Sequence, residues 1–253
     1  MITMKGAAVS AKLKEQVEKG LETLTWVPKL TIIRVGENPD DISYEKGATK
    51  KLTSFGLEVE SKVFPGDISD EAFKKEFAAI NADASVDGIL MLRPLPKQIN
   101  EQDIEKMIDP AKDLDGISPV NIAKVFSGDT SGFAPCTAEA VVCMLKMNDI
   151  ALSGKRVAVV GRSMVVGRPL SMLLLHENAT VTICHSRTAS LPEVCREADI
   201  LTACVGKAAM INHTYVKKDA VVIDVGINVD ENGKLCGDVD FADLEGTASA
   251  ATP

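Results

Sequence analysis

Residues 157–170 read Val-Ala-Val-Val-Gly161-Arg-Ser-Met-Val-Val-Gly167-Arg-Pro-Leu, an apolar strand passing through a glycine turn into a helix. Such a turn leaves main-chain N–H groups and the positive end of the helix facing outward, a cradle suited to a phosphate. The spacing is not G-x-G-x-x-G, because Ser163 stands where the middle glycine would be and Gly167 closes the turn. A tight structural turn without a ligand is the plainer alternative, so position in the chain has to separate the two. The following strand ends Thr182-Ile-Cys-His185-Ser186-Arg187-Thr188, with no carboxylate to grip the ribose 2′-hydroxyl of NAD. Ser186, Arg187 and Arg162 instead suit a 2′-phosphate, which favours NADP as cofactor. The alternative is that both arginines are solvated surface charges.

These groups need elements to hold them. Val9, Leu13, Val17 and Leu21 recur at four-residue steps, which predicts an amphipathic helix over 8–24. A strand is expected over 29–35, then a helix over 40–54 followed by Gly56, a strand over 57–64, a helix over 69–82 and a strand over 86–92. Strands alternating with helices of this length imply parallel βαβ units. Between Arg93 and Thr137 the pattern becomes irregular, punctuated by Pro94, Pro96, Pro110, Pro119 and Pro135, and is read as the seam between domains. A helix from Thr137 leads to the strand Lys155–Val160, the most hydrophobic in the chain, and further strands are expected at 180–184, 200–205 and 220–225. The fold class is therefore α/β, two α/β domains over 1–136 and 137–253, the second a doubly wound Rossmann-type sheet. A glycine turn on the first strand of that half favours a nucleotide over a bare structural turn.

Composition excludes several classes. The 253 residues carry a net charge of −8, which argues against a basic nucleic-acid face but leaves a local pocket for an anionic ligand open. Aromatic content is 4%, so the core has to be aliphatic. No apolar run approaches the roughly 20 residues of a membrane helix, and Met1–Lys5 does not begin a signal peptide. Cys136, Cys143, Cys184, Cys195, Cys204 and Cys236 form no C-x-x-C pair, which reads as reduced thiols in a cytoplasmic protein. His176, His185 and His213 lack metal-binding spacing, so no metal site is expected.

Further stretches make the reading specific: Val35-Gly-Glu-Asn-Pro39, Tyr44, Asp87-Gly-Ile-Leu90, Pro94-Leu-Pro96, Pro110-Ala-Lys-Asp-Leu-Asp-Gly116 and Pro135-Cys-Thr137. With Gly161–Pro169, Val222-Ile-Asp-Val-Gly-Ile-Asn228 and Gly237-Asp238, their order and spacing resemble the methylenetetrahydrofolate dehydrogenase/cyclohydrolase family from about residue 5 to the end. The resemblance implies two α/β domains around a cleft, usually in a homodimer, acting on tetrahydrofolate derivatives. Members oxidise 5,10-methylenetetrahydrofolate to the methenyl form with a nicotinamide cofactor. Many then hydrolyse the product to 10-formyltetrahydrofolate. By the same resemblance Tyr44 would contact the folate's aminobenzoyl ring, and Asp115 would accept from adjacent N–H groups of the pteridine. The cofactor set becomes Gly161, Arg162, Ser163, Val166, Gly167, Ser186, Arg187 and Ile227. The plainer alternatives are a loop-capping side chain beside Gly116 for Asp115 and a partly buried helix aromatic for Tyr44.

The chain departs from the bifunctional pattern in two coupled places. The family's lysine, four residues after the tyrosine, is Ala48, and its glutamine, two residues before Pro-Leu-Pro, is Leu92. Hydride transfer asks only for alignment, whereas hydrolysis needs a positioned acid/base group. A dehydrogenase with weak or absent cyclohydrolase activity is the expectation, with a bifunctional enzyme using Arg93 or Lys51 as the alternative. A short-chain dehydrogenase is disfavoured, because its glycine turn lies at the N-terminus and Ala48 breaks a Tyr-x-x-x-Lys pair. A non-catalytic folate- or dinucleotide-binding protein is the reading from a different class. Family members continue past the position of Pro253 through a loop into a final helix, so a trimmed terminus or a missing wall of the first domain is expected.

Overall fold

The computed structural model describes residues 1–231 and 233–253. In chain order the elements are β1 (Ile2–Thr3), α1 (Gly6–Leu21), β2 (Lys29–Val35), α2 (Pro39–Ser54), β3 (Glu58–Phe64), α3 (Asp70–Ala82) and β4 (Gly88–Met91). There follow α4 (Glu101–Met107), α5 (Pro119–Ser127), α6 (Cys136–Met147), β5 (Arg156–Val160), α7 (Gly167–His176) and β6 (Thr180–Cys184). The last are α8 (Leu191–Arg196), β7 (Ile200–Ala203), β8 (Val221–Asp224), β9 (Asn228–Val229), β10 (Leu235–Cys236) and β11 (Ala250–Ala251). The chain divides into two compact units, Ala11–Ala134 and Met1–Ser10 with Pro135–Pro253. No helix among the described residues is long and apolar enough to cross a membrane.

In the first unit β2 lies between β3 and β4, parallel to both. Ile33, Val35, Phe73, Phe77, Ile89 and Ile104 share one apolar core, with Phe64 edge-on to Phe73 at a centroid distance of 5.4 Å. Two caps start helices where the sequence offers them. Asn38 accepts from the Asp40 N–H ahead of α2, and Ser69 accepts from the Ala72 N–H ahead of α3.

The stretch expected to be an irregular seam holds α4 and α5 inside this first unit. Pro119 opens α5, where its missing N–H has no intrahelical partner to lose, and Ser118 caps the Asn121 N–H at 3.1 Å. Gly128 ends α5 in the left-handed region at φ +77°. Pro119 and Pro135 stand at helix starts, and α4 and α5 are too short to show strong periodicity.

The second unit is a six-stranded parallel sheet in the order β1-β11-β8-β7-β5-β6. Alternate residues of β5 enter two cores. Val157 and Val159 pack with Leu145 of α6 and Leu170 of α7, whereas Ala158 and Val160 pack with Cys195 of α8. Both faces are therefore covered, as a doubly wound sheet requires. The chain runs from β5 to β6 at one edge and then crosses to β7 on β5's other side, so the carboxyl ends of β5 and β7 form the switch point.

Candidate active site

The glycine turn sits at that switch point. Gly161 is at φ +139°, and a Cβ there would come within 2.3 Å of the Cys204 carbonyl oxygen just beyond β7. A Cβ on Gly167 would lie 2.2 Å from the Gly161 carbonyl oxygen. Both positions are thus closed to any side chain by main chain, not by movable groups. The Ser163 hydroxyl accepts from the Val166 N–H at 3.1 Å, and the Ser163 carbonyl accepts from the Arg168 N–H at 3.0 Å. Ser163 therefore holds the turn that a middle glycine would otherwise serve. Arg162, Ser163, Met164 and Val165 are exposed, while Val166 is half-buried at the start of α7.

Ser186 and Arg187 are exposed in the turn that follows β6. Main-chain and local bonds shape it: Thr188 N–H to the His185 carbonyl at 2.9 Å, His185 N–H to the Thr188 hydroxyl at 2.9 Å, and Arg187 N–H to His185 Nδ1 at 3.1 Å. The turn is joined to the glycine turn by the Gly161 N–H, which donates to the Cys184 carbonyl at 2.9 Å. Ile227 lies beyond β8 and is 84% exposed.

Two carboxylates that residue patterns alone did not single out lie under these loops. Asp238 is fully buried, and Asp224 accepts from the N–H groups of Gly226, Asp238 and Val239 at 2.9, 3.0 and 2.9 Å. Burial pushes the Asp224 carboxyl above its usual range despite those three donors. Burial also raises the Cys204 thiol to about 12, with the Asp238 charge adding to it. The available signal was the pair of glycines beside them. A Cβ on Gly226 or Gly237 would run into the Asp238 or Asp224 carboxylate.

In the first unit Tyr44 projects from α2 at 57% exposure, and Ala48 follows on the same face, half-buried. α2 is tied to β2 by Arg34, whose Nε donates to Glu45 Oε2 at 2.6 Å. Leu92 is buried, and its N–H is taken by the Ile33 carbonyl at 2.9 Å. Arg93 reaches Glu101 and Glu105 at 3.3 Å each and Asp115 at 3.7 Å. Burial lifts the Glu105 carboxyl even with that guanidinium beside it. The Lys51 ammonium lies over the Phe55 ring, 5.3 Å from its centroid. The N–H groups of Ile117 and Ser118, together with the Asn121 side-chain amide, are taken by Asp113, which is buried two residues before Asp115.

A doubly wound parallel sheet with a closed glycine turn at its switch point defines a dinucleotide-binding α/β protein. The family model of the tetrahydrofolate dehydrogenase/cyclohydrolase catalytic domain matches residues 4–115, and that of its NAD(P)-binding domain matches residues 135–253. This chain belongs to the tetrahydrofolate dehydrogenase/cyclohydrolase family. It is 48% identical over 255 residues to the bifunctional protein FolD of Clostridium kluyveri, covering 100% of this chain and 90% of the relative. The solved bifunctional FolD methylenetetrahydrofolate dehydrogenase/cyclohydrolase from Campylobacter jejuni superposes with a TM-score of 0.96 at 36% identity, covering 100% of this chain and 91% of that one. The Trypanosoma brucei enzyme, solved with NADP and an inhibitor, superposes with a TM-score of 0.92 at 29% identity, covering 100% and 90%.

Proposed function

We propose that this protein oxidises 5,10-methylenetetrahydrofolate to the 5,10-methenyl form with NADP, and that it has lost most or all of the cyclohydrolase step. In this reading residues 1–136 bind folate and residues 137–253 bind the dinucleotide. The observation that carries it is the closure of Gly161 and Gly167 against main chain at the carboxyl end of β5. Those contacts fix a tight turn and seat the start of α7 close against the end of β5, which leaves the exposed 162–165 main chain at a helix N-terminus, where a pyrophosphate meets N–H groups. Gly161, Arg162, Ser163, Val166 and Gly167 would hold the phosphates, Ser186 and Arg187 the 2′-phosphate, and Ile227 the other half of the cofactor. When bound, the nicotinamide supplies the hydride acceptor. NADP is preferred over NAD because the β6 loop offers an exposed arginine and no carboxylate.

Tyr44 and Asp115 serve to orient the folate. The Asp115 carboxylate accepts from the pteridine's N–H edge, and Tyr44 lies along the aminobenzoyl ring. Hydrolysis asks for more, a group that moves a proton to or from water. Ala48 and Leu92 provide no proton-transfer atom, so that step has to look to neighbouring cations. Arg93 is tied to three carboxylates, and Lys51 is turned onto Phe55. Six cysteines with no C-x-x-C pair support a reducing, cytoplasmic setting, and the family resemblance supports a homodimer.

One assay tests the activity. Purified protein is given methylenetetrahydrofolate with NADP or NAD and followed at the methenyl absorbance. The expected result is an NADP-dependent rise that persists, because loss of a positioned acid/base group removes about 10²–10⁴-fold from hydrolysis. No NADP-dependent rise overturns the dehydrogenase reading, and enzyme-dependent decay of methenyl absorbance overturns the loss of cyclohydrolase. The double variant Ala48→Lys with Leu92→Gln should regain part of the hydrolysis.

A further inference from the structure

Asp238 has an unusual set of partners for a carboxylate at 0% exposure. Its Oδ2 accepts from the N–H groups of Val205 at 2.6 Å and Gly206 at 3.1 Å. Its Oδ1 accepts from the Lys207 N–H at 2.8 Å and from the Asn228 side-chain amide at 2.9 Å. Three successive backbone N–H groups, with Gly206 at φ +66°, make an anion-binding nest, and the protein fills it with its own carboxylate. The nest is the loop beyond β7. The fourth donor, Asn228, opens β9 immediately after Ile227.

The far side of Ile227 is held as well. A Cβ on Gly226 would lie 2.3 Å from the Asp238 carboxyl carbon, so the main chain there rests on the carboxylate. Gly226 donates in turn to Asp224, which accepts the Asp238 N–H. An apolar side chain that is 84% exposed is thus flanked on both sides by residues fixed to one buried anion. The direction in which Ile227 projects is therefore set by the two residues that the buried carboxylate fixes.

We infer that Asp238 is a positioning residue that locks the β7 and β8 loops into one platform, presenting Ile227 and the 205–207 main chain to the nicotinamide half of the cofactor. The inference rests on the cofactor reading above. With phosphates on the β5 turn and the 2′-phosphate on the β6 loop, the other half extends across the switch point over β7 and β8. Hydride transfer is sensitive to that platform, because a misplacement of about 1 Å costs roughly 10²-fold in rate.

The test separates this role from plain stability by probing the two halves of the cofactor independently. Asp238→Asn keeps the volume but turns one acceptor into a donor facing N–H groups. Asn228→Ala removes only the side-chain donor and leaves the three-N–H nest satisfied. Calorimetric affinities for 2′,5′-ADP and for NADP are measured on the full chain, with dehydrogenase kcat and folate KM alongside. For both variants, 2′,5′-ADP affinity should stay within about twofold of the unmodified protein while NADP affinity falls on the order of tenfold. Their kcat should drop about 10- to 100-fold with folate KM nearly constant. Should Asp238→Asn fail to fold, Asn228→Ala carries the same comparison. Parallel loss of 2′,5′-ADP and NADP affinity, or kcat retained within about twofold in Asn228→Ala, overturns the inference. An unmodified protein that binds 2′,5′-ADP but neither binds NADP more tightly nor turns over overturns the cofactor reading itself, and the inference with it.

Discussion

Replacing Gly167 by alanine puts the phosphate cradle to a quantitative test. The new Cβ would lie 2.2 Å from the Gly161 oxygen, 2.5 Å from the Gly161 carbonyl carbon and 2.8 Å from the Arg162 nitrogen. All three are main-chain atoms, so no rotamer change relieves the overlap. The turn has to retreat by about 1 Å to reach ordinary contact distance. Two effects then oppose each other. Alanine at a helical position gains at most about 1 kcal/mol over glycine. Against that, the retreat strains the Val166–Ser163 bond at 3.1 Å and the Arg168–Ser163 bond at 3.0 Å. Each contributes about 0.5–1.5 kcal/mol, and the displaced main chain of β5 adds to the cost. Displacement wins by about 1–2 kcal/mol, which for a chain of this size lowers Tm by roughly 2–8 °C. Binding suffers more, because each N–H to phosphate bond is worth about 1.5–3 kcal/mol. Loss of one such bond weakens NADP about 10- to 100-fold by calorimetric titration. Gly20→Ala in α1 is the control, since a Cβ there meets nothing within 4 Å and should stabilise without touching NADP. A folded Gly167→Ala protein that binds NADP within about twofold of the unmodified chain refutes the reasoning.

Three further outcomes are expected. Arg187→Ala should weaken NADP about tenfold and NAD by less than about twofold, because the bonds of the 185–188 turn do not use its side chain. Equal losses for both cofactors in steady-state KM would place Arg187 outside the 2′-phosphate site. Asp115→Asn should raise folate KM from several-fold to about a hundredfold, while Arg93 stays held by Glu101 and Glu105. An unchanged folate KM assigns Asp115 to the loop alone. Near about pH 8 an aromatic disulfide reagent should label exposed Cys136 within minutes and leave Cys204 untouched, since burial holds that thiol near 12. Mass spectrometry of the labelled peptides reads the outcome, and early labelling of Cys204 would show that the loop beyond β7 opens readily.

Local pattern made much of this fold legible. Lys29–Val35 and Thr180–Cys184 form strands over the residues expected, because β-branched runs bounded by polar or glycine turns carry their own signal. The glycine turn was equally legible, since a φ of +139° and a main-chain contact leave glycine as the residue for Gly161. α4 and α5 were not: spans of 7 and 9 residues in a proline-rich stretch are too short for a helical period to show. The pairing of Ile2 with Ala250 left no mark either, because two-residue strands have no alternation and their partner is remote in the chain.

The site divides along the same line. Residue types alone pointed to a phosphate site after β5 and to a β6 end without a carboxylate, whereas Ala48 and Leu92 stand out only against the family's pattern. Tertiary structure decided which carboxylate does what. Asp113 and Asp115 are two residues apart in one loop, yet Asp113 takes the turn's N–H groups and Asp115 faces Arg93. Asp238 falls in a stretch that carries the family resemblance, yet it becomes the anchor of two loops only because β7 and β8 lie side by side. A hydrogen bond between residues more than 30 positions apart costs the chain no local pattern, so only the folded sheet reveals it.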